Sequence, residues 1–309
     1  MNKFCSGFVS IIGRPNVGKS TLMNYLLGEK IAIVTNKPQT TRNQIRGVVT
    51  EDDYQAVFID TPGMHKPKSK LGEYMAREVE SALDAVDVVL FVVEPSANIG
   101  PGDTRIIERI KRVDSSVFLV INKIDTVARE KLLEVIDAYR GHFEFDEIIP
   151  LSAARGDNMD ALAAAIKSRL PEGPKYFPDD MLTDQPERQI AAELIREKLL
   201  MLLDEELPHG TAVEILTMKK REDDGRLPGD GRLPGKDLID IDATIYCERA
   251  SHKGMIIGKQ GAKLKAVGVQ ARADIERLLG SPINLQLWVK VKKGWRDSDF
   301  MLRNFGYEE

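Results

Sequence analysis

One stretch limits this chain more than any other: Gly13-Arg14-Pro15-Asn16-Val17-Gly18-Lys19-Ser20, with Thr21 behind it. An apolar run, Phe8–Ile12, leads into it, and a helical pattern, Ser20–Leu27, leaves it. The pattern G-x-x-x-x-G-K-S between a strand and a helix is the setting of a phosphate-binding loop. Its glycines let backbone N–H groups turn inward around phosphate oxygens, and the helix start adds partial positive charge. Lys19 would reach the β- and γ-phosphates, and the Ser20 hydroxyl would ligate Mg2+. A strand feeding such a loop belongs in a sheet that is covered on both faces.

The rest of residues 7–170 supplies that sheet. Apolar runs at Ala56–Ile59, Val88–Val93, Val117–Ile121 and Ile148–Leu151 alternate with helical stripes. Met75, Val79, Leu83 and Val86 form one stripe, and Leu132, Leu133, Ile136 and Tyr139 form another. This alternation predicts an α/β domain over residues 1–170, with a mostly parallel sheet flanked by helices. The chain has 309 residues, more than one core of about 250–300 residues serves. Pro171–Pro186 carries four prolines and no helical stripe, which makes residues 171–186 the expected linker. A helix over about Glu187–Leu207 opens a smaller α+β domain, residues 187–309. Pro208-His209-Gly210 ends that helix, strands follow at Ala212–Met218 and Leu238–Tyr246, and a further helix closes the chain. Between those strands Gly225–Gly235 repeats GRLPG twice and reads as a solvated hairpin loop.

Two cysteines, Cys5 and Cys247, exclude a disulfide framework and suit a reducing cytosol. The longest uncharged apolar run, Val88–Val93, is far short of a membrane span. The apolar start of the chain runs directly into the glycine-rich loop, so it reads as a first strand rather than a signal peptide.

Three further motifs follow the phosphate loop. Asp60-Thr61-Pro62-Gly63 leaves an apolar strand about 40 residues on. A carboxylate there would hold Mg2+ through water, and the Gly63 N–H would approach a γ-phosphate. Asn122-Lys123-Ile124-Asp125 ends the strand Val117–Ile121. Guanine offers two donors along one edge, and the Asp125 carboxylate would accept both, whereas adenine would meet it with an acceptor. Leu151-Ser152-Ala153 would bring a backbone N–H to the guanine oxygen. Between the phosphate loop and Asp60 lies Pro38-Gln39-Thr40-Thr41-Arg42. A threonine hydroxyl there would complete the Mg2+ shell only when a γ-phosphate is present, and Thr41 is assigned that place. Asn36–Gly47 is then a segment that GTP orders and hydrolysis releases, with Gln39–Asn43 at its centre.

The net charge of −4 hides an asymmetry. From Lys253 to Arg296 ten Lys or Arg face two acids, a local +8 that leaves −12 for the other residues. Inside this basic segment Gly258-Lys259-Gln260-Gly261 stands between helical patterns, with Ile256-Ile257 before it and Lys263 and Lys265 after it. A G-x-x-G loop with that flank matches a KH module, which clamps about four nucleotides of a single strand. Trp288, on the alternating strand Asn284–Val291, is expected to pack in the core. Trp295, after Lys292-Lys293-Gly294, is expected to contact RNA.

Together the motifs resemble those of translation-factor-related GTPases. Over nearly the whole chain they resemble the Era family of bacterial ribosome-assembly GTPases. The residues that carry the likeness are 13–21, 38–42, 60–63, 122–125, 256–265 and 287–295. The resemblance implies binding of GTP and GDP, slow hydrolysis, and a type II KH domain gripping the 3′ end of 16S rRNA during maturation of the small ribosomal subunit. It implies a cytoplasmic monomer with peripheral contact to the anionic inner face of the cell membrane. Met64 stands where many GTPases carry a water-orienting glutamine. A thioether cannot orient water, so hydrolysis would be slow and open to stimulation by a partner. In related GTPases with the same loop, Asn16 helps bind K+ beside the phosphates; otherwise Asn16 serves the turn. The duplicated GRLPG loop departs from the family pattern. Two rivals predict differently. A membrane-docked signalling GTPase would bind anionic vesicles without its GxxG loop. An ATPase or nucleotide kinase would ignore Asp125→Asn.

Overall fold

The computed structural model describes residues 4–37, 39–63, 69–203, 210–221 and 238–307. They fall into two units, Met1–Lys68 with Gly72–Asp184, and Ser69–Leu71 with Gln185–Glu309.

In the first unit the chain runs β1 (Cys5–Gly13), α1 (Lys19–Leu27), β2 (Ile45–Thr50), β3 (Tyr54–Asp60), α2 (Lys70–Ser81), β4 (Val88–Val93) and α3 (Pro101–Ile110). It continues through β5 (Ser116–Ile121), α4 (Glu130–Arg140), β6 (Glu147–Pro150) and α5 (Met159–Arg169). The six strands form one sheet in the order β2-β3-β1-β4-β5-β6. All neighbours are parallel except β2 and β3. Every residue of β4 is fully buried, as a central parallel strand covered on both faces must be. Parallel register also brings the C-terminal ends of β1, β3, β5 and β6 to one edge, and the loops after them carry the motifs.

Two features differ from the sequence reading. The antiparallel edge strand β2 lies partly inside the segment read as a switch, because its pattern Ile45-Arg46-Gly47-Val48 is short and interrupted by glycine. A Cβ on Gly47 would sit 2.6 Å from Leu27 and Met23 side-chain carbons, so β2 lies against α1. On α4, Leu133 is 68% exposed, and Val135 takes its place on the buried stripe with Tyr139. A helix of 3.6 residues per turn puts 132, 135, 136 and 139 on one face and turns 133 away.

Residues 171–184 lie along the first unit. Val48 N–H donates to Leu182 O at 2.9 Å and the Thr183 hydroxyl to Arg46 O at 2.6 Å. The Gln55 side chain accepts from the Tyr176 and Phe177 N–H groups and donates to Phe177 O. The bonds to Val48 and Arg46 cover part of the otherwise open edge of β2.

The second unit contains α6 (Glu187–Leu202), β7 (Ala212–Lys220), β8 (Ile239–Cys247), α7 (Ala250–Ile257), α8 (Ala262–Leu279), β9 (Ile283–Val291) and α9 (Asp299–Asn304). β7 and β8 are antiparallel, β8 and β9 parallel, and β8 is central. Up to β9, the order α-β-β-α-α-β is that of a type II KH module. Leu194, Ile195 and Leu199 of α6 and Val267, Ala271 and Ile275 of α8 are buried, as are Ile241, Ala243 and Ile245 of β8. Pro38, Met64, the stretch Leu207–His209 and the GRLPG duplication lie outside the described residues. Among the described residues no helix is long and apolar enough to cross a membrane.

Candidate functional site: a tethered phosphate loop and an open GxxG loop

β1 ends in Gly13, whose Cβ would collide with the Val92 carbonyl of β4. The loop then turns through Asn16, at φ 66°, and Gly18, at φ 99°, into α1. A left-handed residue before a helix carries no side-chain cap, so the first N–H groups of α1 face the loop's hollow. Pro15, Asn16, Gly18, Lys19, Ser20 and Thr21 line that hollow together with residues 33–36, Gln39, Thr40, Thr41, Gly63 and Lys123. Arg14 and Val17 turn elsewhere. Arg14 Nε donates to the buried carboxylate of Asp103 on α3 at 2.9 Å, and Val17 is buried.

Lys19 is almost fully buried, and its ammonium donates back to the carbonyls of Gly13 at 3.2 Å and Arg14 at 3.0 Å. Burial lowers its pKa to about 8, with the Asp60 charge pulling the other way. Three oxygen-bearing side chains meet beside it. Ser20 Oγ donates to Asp60 Oδ2 at 2.6 Å and lies 3.0 Å from Thr41 Oγ1. Thr41 Oγ1 is 3.5 Å from the same carboxylate oxygen. Asp60 is fully buried, which raises its pKa, and its Oδ1 has no hydrogen-bond partner. Two hydroxyls and a carboxylate with an orphaned oxygen fit a hard, oxygen-seeking cation such as Mg2+. Thr40 turns away, its hydroxyl donating to Lys37 O at 2.6 Å. Gln39 adopts φ 59°, Arg42 is buried, and Asn43 ends the segment ahead of β2.

Thr61 donates its hydroxyl to Ile11 O at 2.8 Å, which ties the Asp60–Gly63 turn to β1, with buried Pro62 between them. A Cβ on Gly63 would sit 2.7 Å from Pro15 backbone atoms, so this turn touches the phosphate loop itself.

Asn122 is 2% exposed, and its amide serves three backbones. It donates to Val17 O at 2.9 Å and accepts from Lys123 N–H at 2.8 Å and Ala153 N–H at 3.0 Å. One side chain thus binds the phosphate loop, its own loop and the 151–153 loop together. Lys123, at φ 63°, donates to Asn16 O at 2.7 Å and Glu94 at 2.5 Å. Ile124 and Asp125 begin the short turn that follows. The Ser152 hydroxyl donates to Asp125 Oδ1 at 2.7 Å, and Arg155 Nε lies 3.6 Å from Oδ2. The Ser152 bond is the main cause of a lowered Asp125 pKa, so the carboxylate stays ionised and aimed. Leu151 is buried at the strand end. The Asp103 tie, the reach of Asn122 to Val17 and Ala153 and the Ser152 hydroxyl all escape the sequence reading, because each joins residues 27 or more positions apart.

The second unit presents its glycines differently. Gly258 (φ 73°) ends α7, and Gly261 (φ 78°) starts α8. Between them Gln260 holds φ 51°, a left-handed conformation uncommon for a side chain with a Cβ. Lys259, Gln260, Lys263 and Lys265 are exposed. Ile256 is fully buried and Ile257 half-buried, so the pair anchors the loop from below. The tryptophans invert the expectation. Trp288 is 57% exposed, while Trp295 is fully buried, its indole N–H donating to Gly210 O at 3.0 Å and its ring against Phe305 and Tyr307.

Residues 8–123 match the family model described as 50S ribosome-binding GTPase, and residues 206–296 match the KH domain model. The chain is 56% identical to GTPase Era of Clostridioides difficile strain 630, covering 99% of both chains. It is 57% identical to GTPase Era of Alkaliphilus oremlandii, again over 99% of both. A crystal structure of Era in complex with MgGDPNP and nucleotides 1506–1542 of 16S ribosomal RNA superposes with TM-score 0.91 at 41% identity, covering 99% of this chain and all of that one. A variant of Aquifex aeolicus Era bound to GDP and AlF4− superposes with TM-score 0.90 at 40% identity, with the same coverage.

Proposed function

The chain belongs to the GTPase Era family, and from that premise we propose that it couples GTP binding and slow hydrolysis to capture of the 3′ end of 16S rRNA during small-subunit assembly. The observation that carries the reading is the meeting of Ser20, Thr41 and Asp60 beside Lys19 in a chain that also holds an exposed GxxG loop.

Hydrolysis joins a water oxygen to the γ-phosphorus and breaks its bond to the β,γ-bridging oxygen. Charge on the phosphoryl oxygens is the main quantity a protein stabilises there. Lys19 leaves its two carbonyl acceptors for the β- and γ-phosphates. The backbone N–H groups of residues 13–21 and the start of α1 surround the same oxygens. Mg2+, when bound, neutralises phosphate charge; Ser20 and Thr41 would hold it directly and Asp60 through a water. Since Thr41 belongs to the 39–43 segment, loss of the γ-phosphate would free that segment. Asp125, held by Ser152, accepts the two guanine donors. Asn122 keeps the base-binding and phosphate-binding loops in register. With Met64 in the glutamine's place, water positioning falls to other groups and turnover stays slow.

Asn16 is the proposed K+ ligand, supported by its closeness to the Asn36 carbonyl, 2.7 Å from Nδ2. Hydrolysis faster in potassium than in sodium at equal ionic strength is the expected result; equal rates would remove the ion. The exposed lysines of the second unit would also meet an anionic membrane surface, and co-sedimentation with phosphatidylglycerol vesicles tests that contact.

Crosslinking in cells followed by sequencing of the bound RNA tests the whole reading. Wild type should enrich the 3′ end of small-subunit rRNA, and a chain with Lys259→Asp and Gln260→Asp should lose it. No enrichment by wild type would leave only the GTPase half standing.

A further inference from the structure

Trp288 is covered over less than half of its surface. It lies on β9, the last strand in the order β7-β8-β9, directly opposite Thr244 of β8. Its neighbour Leu287 turns toward Gly268 of α8, so alternation puts Trp288 on the face away from α8, the face on which Tyr246 meets Phe305. A large aromatic left more than half exposed forgoes roughly 1.5–3 kcal/mol of burial, and the chain's other tryptophan is wholly buried.

What surrounds the ring points to a polyanion with flat faces. Gln286 and Lys290 share its side of the strand and are exposed; Lys292 and Lys293 follow, also exposed. Residues two apart on a strand stand about 6.5 Å apart, so indole and cations form a short row. Of the acids on this face, Asp240 is neutralised by Arg221, which donates to it at 2.8 Å. Asp242 and Glu214 keep their charge, accepting from the Thr217 and Tyr246 hydroxyls at 2.8 Å, and they stand on β8 and β7 rather than on β9. An aromatic platform beside unspent cations is how proteins hold single-stranded nucleic acid without reading its sequence. A GxxG loop clamps only about four nucleotides, so a longer bound strand needs further surface.

We propose that Trp288, with Lys290 and Lys292, forms a second RNA contact on the outer face of the sheet, where an unpaired base stacks on the indole and its phosphates meet the lysines. This rests on the RNA reading above and adds a site to it.

With only two tryptophans, and one of them buried, the full chain reports on the site by its own fluorescence. Titration with a four-nucleotide oligomer and with a long oligomer of the 16S rRNA 3′ end, in wild type, Trp288→Ala, Trp288→Phe and Lys290→Gln/Lys292→Gln, tests it. Expected is quenching by the long oligomer, affinity about tenfold weaker in Trp288→Ala, recovery of most of it in Trp288→Phe, and a shallower salt dependence in the lysine variant. The four-nucleotide oligomer should bind wild type and Trp288→Ala alike. Equal long-oligomer affinity in wild type and Trp288→Ala overturns this site and leaves the GxxG reading intact. No binding of either oligomer by wild type overturns both. A blue shift with phosphatidylglycerol vesicles, and no response to RNA, assigns the face to membrane and overturns the proposal.

Discussion

The molecule has two glycine-rich loops that precede a helix, and they are built in opposite ways. The phosphate loop is tied from every side: Asn122 holds Val17, Asp103 holds Arg14, Lys123 holds Asn16, and Gly63 lies on Pro15. The GxxG loop shows two exposed side chains between its glycines and anchors itself through Ile256 below. The difference follows from the tasks. A loop that must aim a buried lysine and hold a metal in place needs preorganised partners from several strands. A loop that grips a sugar-phosphate backbone needs open N–H groups and nearby charge.

That contrast predicts how each loop fails. The largest effect should come from the base pocket, where the ties converge. Asp125→Asn should weaken GTP binding by about three orders of magnitude or more and move preference toward xanthine nucleotides, while RNA affinity stays unchanged. Titration with the two nucleoside triphosphates measures this. Ser152→Ala keeps the carboxylate but releases it, and should cost about tenfold.

Next comes Gly18→Ala. A Cβ at φ 99° would fall on the Asn122 amide and push apart the three backbones it joins. Nucleotide affinity should fall about a hundredfold, measured by displacement of a fluorescent GDP. A matching change at Gly261, where nothing stands within 4 Å of the new Cβ, should perturb RNA binding only through backbone strain. Comparable losses at the two glycines would erase the distinction between tethered and open loops.

The smallest effect is a pH slope. Burial holds Lys19 near pKa 8. Below that value the amine is already protonated and ready for phosphate. Above it each nucleotide bound must draw a proton from solution, so affinity should fall by up to about tenfold per pH unit. Folding carries the opposite sign. An unfolded lysine keeps its proton to 10.5, so the unfolded chain binds more protons between about 8 and 10.5, and this group favours the folded state as pH rises there. Calorimetry from pH 7 to 9.5 should show the slope in wild type and none in Lys19→Arg.

The nucleotide motifs were legible because their chemistry is local. Residues 13–21 specify a strand, a turn and a helix start within one short stretch, and the turn alone exposes the N–H groups. Asp60 and Asp125 were legible as carboxylates leaving apolar strands, and parallel pairing carried both to the same sheet edge. Edge strand β2 was not, because six residues with a central glycine carry too weak an alternation to separate strand from loop.

The sequence by itself determined the two-part architecture, the motifs proposed to meet phosphate and base, and the basic character of the second unit. Each depends on spacing or composition within a short stretch. Tertiary structure alone decided which tryptophan is covered and which is bare. Trp295 is buried because Gly210 and the Phe305–Tyr307 segment close over it, and Trp288 is bare because α8 lies on the other face of its strand. It likewise made Asn122 a strut among three loops, and it laid residues 171–184 along the first unit, with Leu182 and Thr183 against β2. Burial and hydrogen bonding at such positions depend on partners far away in the chain, which no local pattern encodes.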